Sequence, residues 1–555
     1  MSRSLTCPFL LACTAALPAQ MSGSYSLDPS NPAAFATFTQ AVAALFANGV
    51  SGPVEIVVAP GSYTESTLIP PITGASATNT ITFRAQQGPG SVMLHGSGGD
   101  TIALLGVAFA YNRAVRFDGL DFVGAPGRAI SATRYVEDVE IRDCTFGPGH
   151  VGSAPGVYYD AVIASDNVGN EVGWHIHHNR FTLAPAVLTT SHGIYVANGG
   201  GWHIHHNEFT MNGANHALYM ENNGATLDRI HDNLFTGALA MNFSNTVSSV
   251  AVLRLDSANY NNDIVHNTFA VDIPGEGCCI VTGGYFSGGQ PVQNRIYGNV
   301  FEVRGQGCAI VRNVSGFGPN PFLADGNLYD TASGVLNRLG STITTSVPYP
   351  TLAAWQAATT QDLNSLQTSP LLQDPFGTPP DLRPTTNSPV RDLAVNTPSY
   401  IAEDFGGRMR DAMPDAGAYE STSLAFYGVG CPGTGFQVPR FSNTGSVAIG
   451  STNLTLELSR VPGGALAILL GGLSRTQSAA GPLPYDLGGG CRILAAPEAM
   501  ISFVASPLGQ VSMPYPIPPI PGLTGLDLFF QWAVLDAGSF SPLGVTVSGA
   551  AALQL

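Results

Sequence analysis

The chain has 555 residues, of which only 11% are charged, 65 are Gly and 40 are Pro, and its formal net charge is −16. This composition is typical of a large, turn-rich β protein and argues against a disordered chain. The negative charge removes the electrostatic attraction on which nucleic-acid binding depends, so nucleic acid is excluded as a partner. All 22 basic residues are Arg, which excludes mechanisms that need a lysine base or a lysine Schiff base.

Residues 1–19 are expected to form a secretory signal peptide, with Arg3 followed by an apolar run and Pro-Ala before Gln20. A lipoprotein signal with Cys13 as the lipidated residue is the alternative. Either signal would place the mature protein outside the cytoplasm, secreted, on the cell surface or in the periplasm. No other stretch is long and apolar enough to predict a transmembrane segment.

Residues 174–209 contain nearly the same segment twice, WHIHHNRFT from Trp174 and WHIHHNEFT from Trp202. Degenerate copies on both sides keep an aromatic residue at the end of the segment. These residues are Phe122, Phe146, Phe181, Phe209, Phe235, Phe269, Phe301 and Tyr329. The last six copies also carry an Asn two residues earlier, at Asn179, Asn207, Asn233, Asn267, Asn299 and Asn327. A repeat of this length, without a helical segment inside it, predicts a strand-rich solenoid.

Each repeat contains about three short apolar strands separated by Gly, Asn and Asp turns, which indicates one coil of a parallel β-helix. Coils stack about 4.8 Å apart, so equivalent side chains lie on one another. A buried Asn at a turn can pair its amide with the Asn of the next coil. The Asn column is therefore expected to be a structural ladder, and the aromatic column a stack in the core.

With these features the chain resembles the right-handed parallel β-helix proteins of the pectate-lyase-like superfamily, over most of residues 33–420. FATFTQAVAALFANGVSGPVEIVVAPGSYTES (35–66) is similar to the capping helix and first strand of that superfamily. TLAAWQAATTQDLNSLQTSPLLQDP (351–375), SPVRDLA (388–394) and EDFGGRMRDAMPDAGAYE (403–420) are similar to the tail of exported bacterial β-helix proteins. The resemblance implies an all-β solenoid over 20–420 with a cap helix at about 33–48. It does not imply one activity, because the superfamily contains lyases, hydrolases, epimerases and surface proteins.

Residues of about 330–420 lose the repeat and are expected to cover the last coils, with a short helical stretch around Trp355. From Leu424 the composition predicts a separate β-sandwich over 424–555. Through GVGCPGTG (428–435) this part resembles the Gly-Cys-Pro-Gly β domains at the ends of large exported bacterial proteins. Anchoring, sorting and glycan contact are all open as its role.

Six cysteines follow the predicted signal peptide: Cys144, Cys278, Cys279, Cys308, Cys431 and Cys491. In an oxidising compartment these are disulfide candidates. Cys431 and Cys491 both lie in the predicted sandwich and are expected to be bonded. Cys278 and Cys308 are one coil apart, and both a disulfide and a buried thiol ladder are open for this pair.

Ten of the twelve histidines lie between residues 175 and 266. If the Ile of each WHIHHN segment points inwards, the flanking histidines point outwards. Aligned copies then give one column, His177, His205 and His231, and a second, His178, His206, Asp232 and His266. The first column could hold a transition metal such as Zn or Cu, and some β-helix relatives serve periplasmic copper-site maturation. A polar ladder that tandem duplication copied, with no ligand, is the simpler alternative.

The preceding strands, SHGIYVAN (191–198) and NHALYMEN (215–222), offer groups for polysaccharide chemistry. The candidate catalytic residues are His192, His216, Tyr219, Glu221, Arg254 and Asp256. The candidate substrate-binding residues are Tyr195, Trp174, Trp202 and Asp160. Aromatic rings stack on sugars, Arg binds a uronate carboxylate through two hydrogen bonds, and His, Tyr or Arg could remove the C5 proton in β-elimination. Because side chains alternate along a strand, His and Tyr need not share a face, and part of this set could belong to the core.

The motifs that define polygalacturonase-type hydrolases, the Lys-containing lyases and the pectate lyases are missing. Two functions therefore stay open. The first is a monomeric, exported, carbohydrate-active protein that binds or cleaves a polysaccharide or cell-surface glycan along the β-helix flank. It would need no cofactor except Ca²⁺ if it is a lyase, and long loops at 147–160 and 183–191 would support it. The second is a non-catalytic surface, adhesion or structural module. Periplasmic Cu or Zn binding by the His columns is a further alternative.

Overall fold

The computed structural model describes most of the chain beyond the predicted signal peptide. The described residues are 19–107, 110–125, 127–150, 159–165, 171–185, 190–197, 199–221, 226–241, 250–256, 261–282, 294–312, 322–340, 346–385, 388–407, 410, 413–420, 424–445, 447, 450–523 and 526–554. Most of the predicted signal peptide, including Cys13, lies outside them.

Strands dominate the described residues, which contain two α-helices, α1 (Phe38–Asn48) and α2 (Leu352–Thr359). The side chain of Thr37 caps α1 by accepting a hydrogen bond from the backbone N–H of Gln40. Apolar residues at helical spacing form one buried stripe: Phe38, Ala41, Val42 and Leu45. The stripe belongs to the solenoid core, so the cap helix expected at about 33–48 is confirmed, although it begins later than predicted.

Three long sheets, here named A, B and C, run the length of the solenoid, with eleven strands in each. Sheet A contains Met21–Leu27, Val50–Val58, Ile81–Ala85, Val115–Asp118, Glu140–Arg142, His175–His177, His203–His205, Asp228–His231, Asn262–Val265, Arg295–Tyr297 and Leu323–Asp325. Sheet B contains Gly61–Thr64, Val92–His95, Asp121–Ala125, Thr145–His150, Arg180–Thr182, Glu208–Thr210, Leu234–Ala238, Thr268–Ile273, Val300–Gly305, Leu328–Thr331 and Leu366–Gln367. Sheet C contains Thr67–Ile69, Ile102–Leu105, Ile130–Thr133, Tyr159–Ser165, Thr190–Val196, His216–Glu221, Ala251–Asp256, Cys278–Thr282, Cys308–Arg312, Asn337–Leu339 and Val347–Tyr349.

Each coil contributes one strand to each sheet, and neighbouring strands are parallel except the last pair of sheet C. A small fourth sheet joins Asn112–Arg113, Val136–Glu137, Glu171–Val172 and Gly199–Gly200. The predicted all-β parallel solenoid is therefore confirmed.

The aromatic column of the repeat lies in the core, as predicted. From Phe122 to Tyr329, consecutive rings are nearly parallel, with centroids 4.6–5.2 Å apart. On sheet A, Ile176 and Ile204 are in register and fully buried, so the histidines beside them point outwards as expected. Offset stacking of the rings in the aromatic column adds to the stabilisation from apolar burial.

The predicted Asn ladder is also confirmed. From Asn179 to Asn327, the side-chain Nδ2 of each Asn donates to the Oδ1 of the next Asn at 2.9–3.1 Å. The same Oδ1 accepts the backbone N–H of the preceding Asn. The residue before each Asn is in the left-handed region, for example His206 with φ 55° and Asp232 with φ 52°. Asp, His and Gly tolerate this conformation better than most residues, so the second His column marks the sharp corner between sheets A and B.

The end of the solenoid is closed by residues that follow the repeat. The Asp362 carboxylate accepts from Asn327 Nδ2, Tyr329 Oη and Trp355 Nε1, each at 2.9 Å. It therefore continues the ladder where the next Asn would stand, and the helix expected around Trp355 is confirmed as α2. A two-stranded sheet of Leu372–Asp374 and Asp381–Pro384 follows.

The last part of the chain forms antiparallel sheets. One has the strands Leu424–Tyr427, Val545–Gln554, Asp527–Leu535, Leu466–Gly472 and Ala499–Val504, and another has Arg440–Thr444, Thr455–Ser459 and Val511–Pro514. Two short hairpins add Gln477–Ser478 with Gly481–Pro482 and Tyr485–Gly488 with Cys491–Ile493. Residues of both larger sheets share one core, as in the predicted sandwich. The domain limits given above stay a prediction.

The expected bond between Cys431 and Cys491 is present. Cys278 and Cys308 are in register, buried and not bonded, which is the thiol-ladder alternative. Burial raises the pKa of the Cys308 thiol to about 12, so this ladder is unreactive as it stands.

Among the described residues, no helix has the length and apolar character needed to cross a membrane.

Candidate functional site

The strands of sheet C do not alternate strictly, and this decides where the predicted catalytic residues point. Two consecutive residues face the core at the same level of several coils: Val162–Ile163, Ala217–Leu218, Val252–Leu253 and Cys279–Ile280. The strand pairing skips the first residue of each pair. At the equivalent Gly193, a Cβ atom would lie 2.7 Å from the Ala217 carbonyl oxygen, so glycine allows the close approach.

Because of this irregularity, the histidines and tyrosines of sheet C share the outer face. The rings of His192 and His216 stack at 5.0 Å, and the rings of Tyr195 and Tyr219 lie 5.3 Å apart. His192 and Tyr219 are also in contact, with centroids 5.2 Å apart. Simple alternation along the strand, which would separate His from Tyr, is therefore wrong here.

Both tyrosines hold the same carboxylate. Tyr195 Oη donates to Glu221 Oε2 at 2.9 Å, and Tyr219 Oη donates to Glu221 Oε1. The guanidinium carbon of Arg254, in register with Tyr219 on the next strand, lies 4.5 Å from the Tyr219 ring centroid. The two tyrosines are buried, whereas Glu221 and Arg254 are half-buried. This Tyr–Glu–Arg cluster therefore presents one carboxylate and one guanidinium from neighbouring coils.

The two histidines of this face are neutral. Burial, with the Arg254 charge adding to it, lowers the pKa of His216 to about 3, and burial lowers that of His192 well below its usual value. His216 Nδ1 lies 2.7 Å from the carbonyl oxygen of Ala251. Both rings are almost completely buried, so they support the tyrosines from beneath and present no surface to a polysaccharide.

The other residues predicted for substrate binding do not join this cluster. Trp174 and Trp202 are fully buried and stack on each other at 4.8 Å. Neither ring has a face left for a sugar, so a substrate-binding role does not fit their position in the core. The side chains of Asp160 and Asp256 lie outside the described residues, as do most of the predicted loops at 147–160 and 183–191.

The first His column is stacked as predicted, but its members differ in their partners. The rings of His177, His205 and His231 are parallel within 4° and 4.9–5.0 Å apart. His177 Nε2 lies 3.1 Å from Glu140 Oε1, and its Nδ1 lies 2.9 Å from His178 Nδ1. The hydrogen bond to His177 is the main cause that holds the pKa of Glu140 below its usual range. Both ring nitrogens of His177 are therefore engaged by side chains of the fold itself, those of Glu140 and His178.

A different histidine, His203, forms a group with the other two members of the column, His205 and His231. His203, His205 and His231 bring one ring nitrogen each to within 4.8 Å of one another. His203 Nε2 is 2.5 Å from His231 Nε2. Among the described residues, His203 thus takes the place that was predicted for His177. The signal for it was present, because His203 and His205 are two apart on one strand and so share a face.

The second column lies against the segment that follows the solenoid. His206 Nε2 lies 2.9 Å from the Asp404 carbonyl oxygen, and His266 Nε2 lies 2.8 Å from Thr397 Oγ1. Asp232 Oδ1 accepts from Arg410 Nη2 at 2.5 Å. Burial opposes the charge of Asp232, but Arg410 and His231 outweigh it and hold the pKa of the carboxyl below its usual range. Sequence analysis did not identify Arg410 in the tail motif as a partner of this column.

No protein-family model matches this chain, and no curated protein is significantly similar to it in sequence.

Proposed function

We propose that this chain is an exported β-solenoid protein that binds a polysaccharide on the outer face of sheet C, at the Tyr–Glu–Arg cluster. The observation that carries the proposal is the double hydrogen bond from Tyr195 and Tyr219 to Glu221, with Arg254 on the Tyr219 ring. Two phenols fix the carboxylate, so little side-chain freedom is lost when a sugar binds to it.

The chemistry of the cluster suits an acidic sugar. A guanidinium binds a uronate carboxylate through two parallel hydrogen bonds, and a fixed carboxylate accepts sugar hydroxyls. Cleavage by β-elimination would use the same groups. Arg254 would neutralise the uronate carboxylate and so acidify C5–H, and the half-buried Glu221 carboxylate would accept the C5 proton. The electron pair would then form the C4–C5 double bond, the C4–O bond would break, and Glu221 would return the proton to the leaving oxygen.

Export of the protein, as a monomer, is part of this proposal. It is supported by the N-terminal sequence and by the Cys431–Cys491 bond, because disulfides form and persist outside the cytoplasm.

A non-catalytic structural module is the second candidate. It is favoured by the unbroken ladders, of Asn through six coils and of aromatic residues through eight. These ladders make a rigid rod whether or not the protein has a binding site. In that case the Tyr–Glu–Arg cluster would serve packing alone.

A polysaccharide panel separates the two candidates. The full chain, with and without Ca²⁺, is tested on pectins, alginates, glycosaminoglycans and neutral glycans for binding, for absorbance of unsaturated uronate and for new reducing ends. We expect binding of an acidic polysaccharide that Arg254→Met weakens by about tenfold or more, as for a charged hydrogen bond worth about 1.5–3 kcal/mol. Arg304→Met is the matched control, because Arg304 also lies over an aromatic ring, that of Phe376, away from sheet C. If the protein binds no polysaccharide of the panel, or if both variants lose binding equally, the structural module is the remaining candidate.

A further inference from the structure

We infer that His203, His205 and His231 form a transition-metal site on the outer face of sheet A, with Asp232 behind it. The site is distinct from the Tyr–Glu–Arg cluster, which lies on sheet C. A failure of the protein to bind sugar would therefore not count against the metal site.

The backbone brings the three rings together. His203 and His205 lie on one strand two residues apart, and His231 lies on the next strand in register with His205. The ring centroid of His203 lies 4.2 Å from that of His205 and 4.8 Å from that of His231. Three imidazoles on two hydrogen-bonded strands thus lie within reach of one ion, and the parallel rings of His205 and His231 would tilt towards each other to share it.

The hydrogen bonds fix which nitrogens are free to bind a metal. His231 Nδ1 lies 2.6 Å from Asp232 Oδ2, so it donates its proton there and leaves a lone pair on Nε2. His206 Nε2 donates to the Asp404 carbonyl oxygen at 2.9 Å, which makes His206 Nδ1 an acceptor. His205 Nδ1, 2.9 Å from His206 Nδ1, is then the donor, and a lone pair remains on His205 Nε2.

His203 supplies the third nitrogen. Its Nε2 lies 2.5 Å from His231 Nε2, and two nitrogens at this distance cannot both carry protons. A metal ion can replace the proton between these two nitrogens, since metal ligands must be unprotonated.

Asp232 completes an arrangement that metal sites use repeatedly. A carboxylate that accepts the far N–H of a ligating imidazole fixes its tautomer and raises its basicity. Asp232 is itself held by Arg410, which also donates to Glu420 at 2.6 Å. The alternative group of His206, His231 and Asp232 is less suited, because Arg410 and the Asp404 carbonyl oxygen already use its polar atoms.

The ligand set selects the class of ion. Three neutral imidazoles suit Zn²⁺ or Cu²⁺ and not Ca²⁺ or Mg²⁺, which prefer oxygen. His203 and His205 are partly exposed, so water can take the fourth position. The Tyr400 ring forms one wall, 5.6 Å from the His231 ring, and its hydroxyl donates to Asp263. The Arg229 guanidinium, 4.3 Å from the centroid of the Tyr400 ring, opposes a cation, so we expect micromolar rather than picomolar affinity.

The upstream coil provides an internal control. His175 and His177 occupy the same positions as His203 and His205 one coil earlier. There the adjacent strand offers Glu140, which lies 3.1 Å from His177 Nε2. The same HIH sequence is therefore present twice, but in the part of the chain that the structure describes the converging nitrogens are those of His203, His205 and His231, whereas His177 is engaged by Glu140.

The test uses the full chain, purified without a polyhistidine tag and stripped with a chelator. Calorimetric titration with ZnSO₄ and with CuCl₂ should give one equivalent per chain. His205→Ala and His203→Ala should each weaken binding by about 100-fold or more, beyond the about 10–100-fold that loss of an outer carboxylate costs. The matched variants His177→Ala and His175→Ala should leave the affinity within about twofold, and circular dichroism should confirm the fold of all four.

The electron paramagnetic resonance spectrum of the Cu²⁺ form gives an independent readout. Superhyperfine coupling to three nitrogens is expected for the intact site, and to two for His203→Ala. No binding of either ion, an equal loss in His177→Ala, or full binding in His203→Ala would overturn the inference.

Discussion

The Asn ladder makes a direct prediction about stability, best tested at Asn207. Its Oδ1 accepts from the N–H and the Nδ2 of Asn179 at 3.0 and 2.9 Å. Its Nδ2 donates to the carbonyl oxygens of Ile176 and His205 at 2.8 and 3.0 Å and to Asn233 Oδ1 at 3.0 Å. The side chain thus makes five hydrogen bonds and is fully buried.

In Asn207→Ala, the backbone N–H of Asn179 and the carbonyl oxygen of Ile176 lose these partners inside the core. Each buried group without a partner costs about 1–3 kcal/mol, so the free energy of unfolding should fall by about 2–6 kcal/mol. Asn207→Asp should be at least as damaging, since it keeps the acceptor for Asn179 but points an oxygen at three other oxygens, those of Ile176, His205 and Asn233.

The measurement combines urea unfolding with hydrogen exchange of the full chain. Local exchange is needed because a solenoid can lose single coils before it unfolds as a whole. Exchange should accelerate in residues 171–240 and change little in 424–554. Asn364→Ala is the matched control, because the Asn364 side chain makes an exposed hydrogen bond to Asp325, and its effect should stay within about 0.5 kcal/mol. If Asn207→Ala is as mild as Asn364→Ala, the ladder does not stabilise the fold in the way argued above.

Three other perturbations test other parts of the molecule. Arg410→Ala should leave Asp232 buried without its cation, at a cost of about 3–5 kcal/mol, and residues 397–420 should then exchange faster; unchanged exchange there would contradict the role of this ion pair. Replacing Cys431 and Cys491 together by Ala opens a loop of 60 residues and should cost up to about 4 kcal/mol, seen as earlier unfolding of the C-terminal sheets while the solenoid keeps its melting temperature. Burial and a neighbouring carboxylate raise the pKa of Glu302 from 4.5 to about 7. Its stabilising effect is therefore complete below about pH 4.5 and lost as the pH rises through 7. Because the group is partly exposed, the melting temperature of the wild type should fall relative to Glu302→Gln by the equivalent of only about 1 kcal/mol between pH 5 and pH 8; parallel melting curves would refute this.

The sequence by itself predicted the parallel solenoid, the position of the Asn ladder and the stacking of the aromatic residues. The reason is that a parallel coil places equivalent residues of consecutive repeats on one another. Asn179 and Asn207 must then meet, whatever the exact path of the chain between them. The disulfide could be predicted for a different reason: Cys431 and Cys491 are the two cysteines of the last part of the chain.

The candidate sites were predictable only in part, because they depend on features that a repeat does not encode. On sheet C, two consecutive inward residues bring His192 to the same face as Tyr195, which strict alternation along the strand would not give. On sheet A, the partner of His231 is His203 on a diagonal, and not His177 in the same column, because Glu140 already engages His177.

The contact between the tail and the solenoid was decided by the tertiary structure alone. Arg410 reaches Asp232 across 178 residues of sequence, and no periodicity links the two positions. A buried carboxylate at a corner needs a cation from somewhere in the chain. Only the folded path of the segment after the repeat determines that Arg410 supplies it.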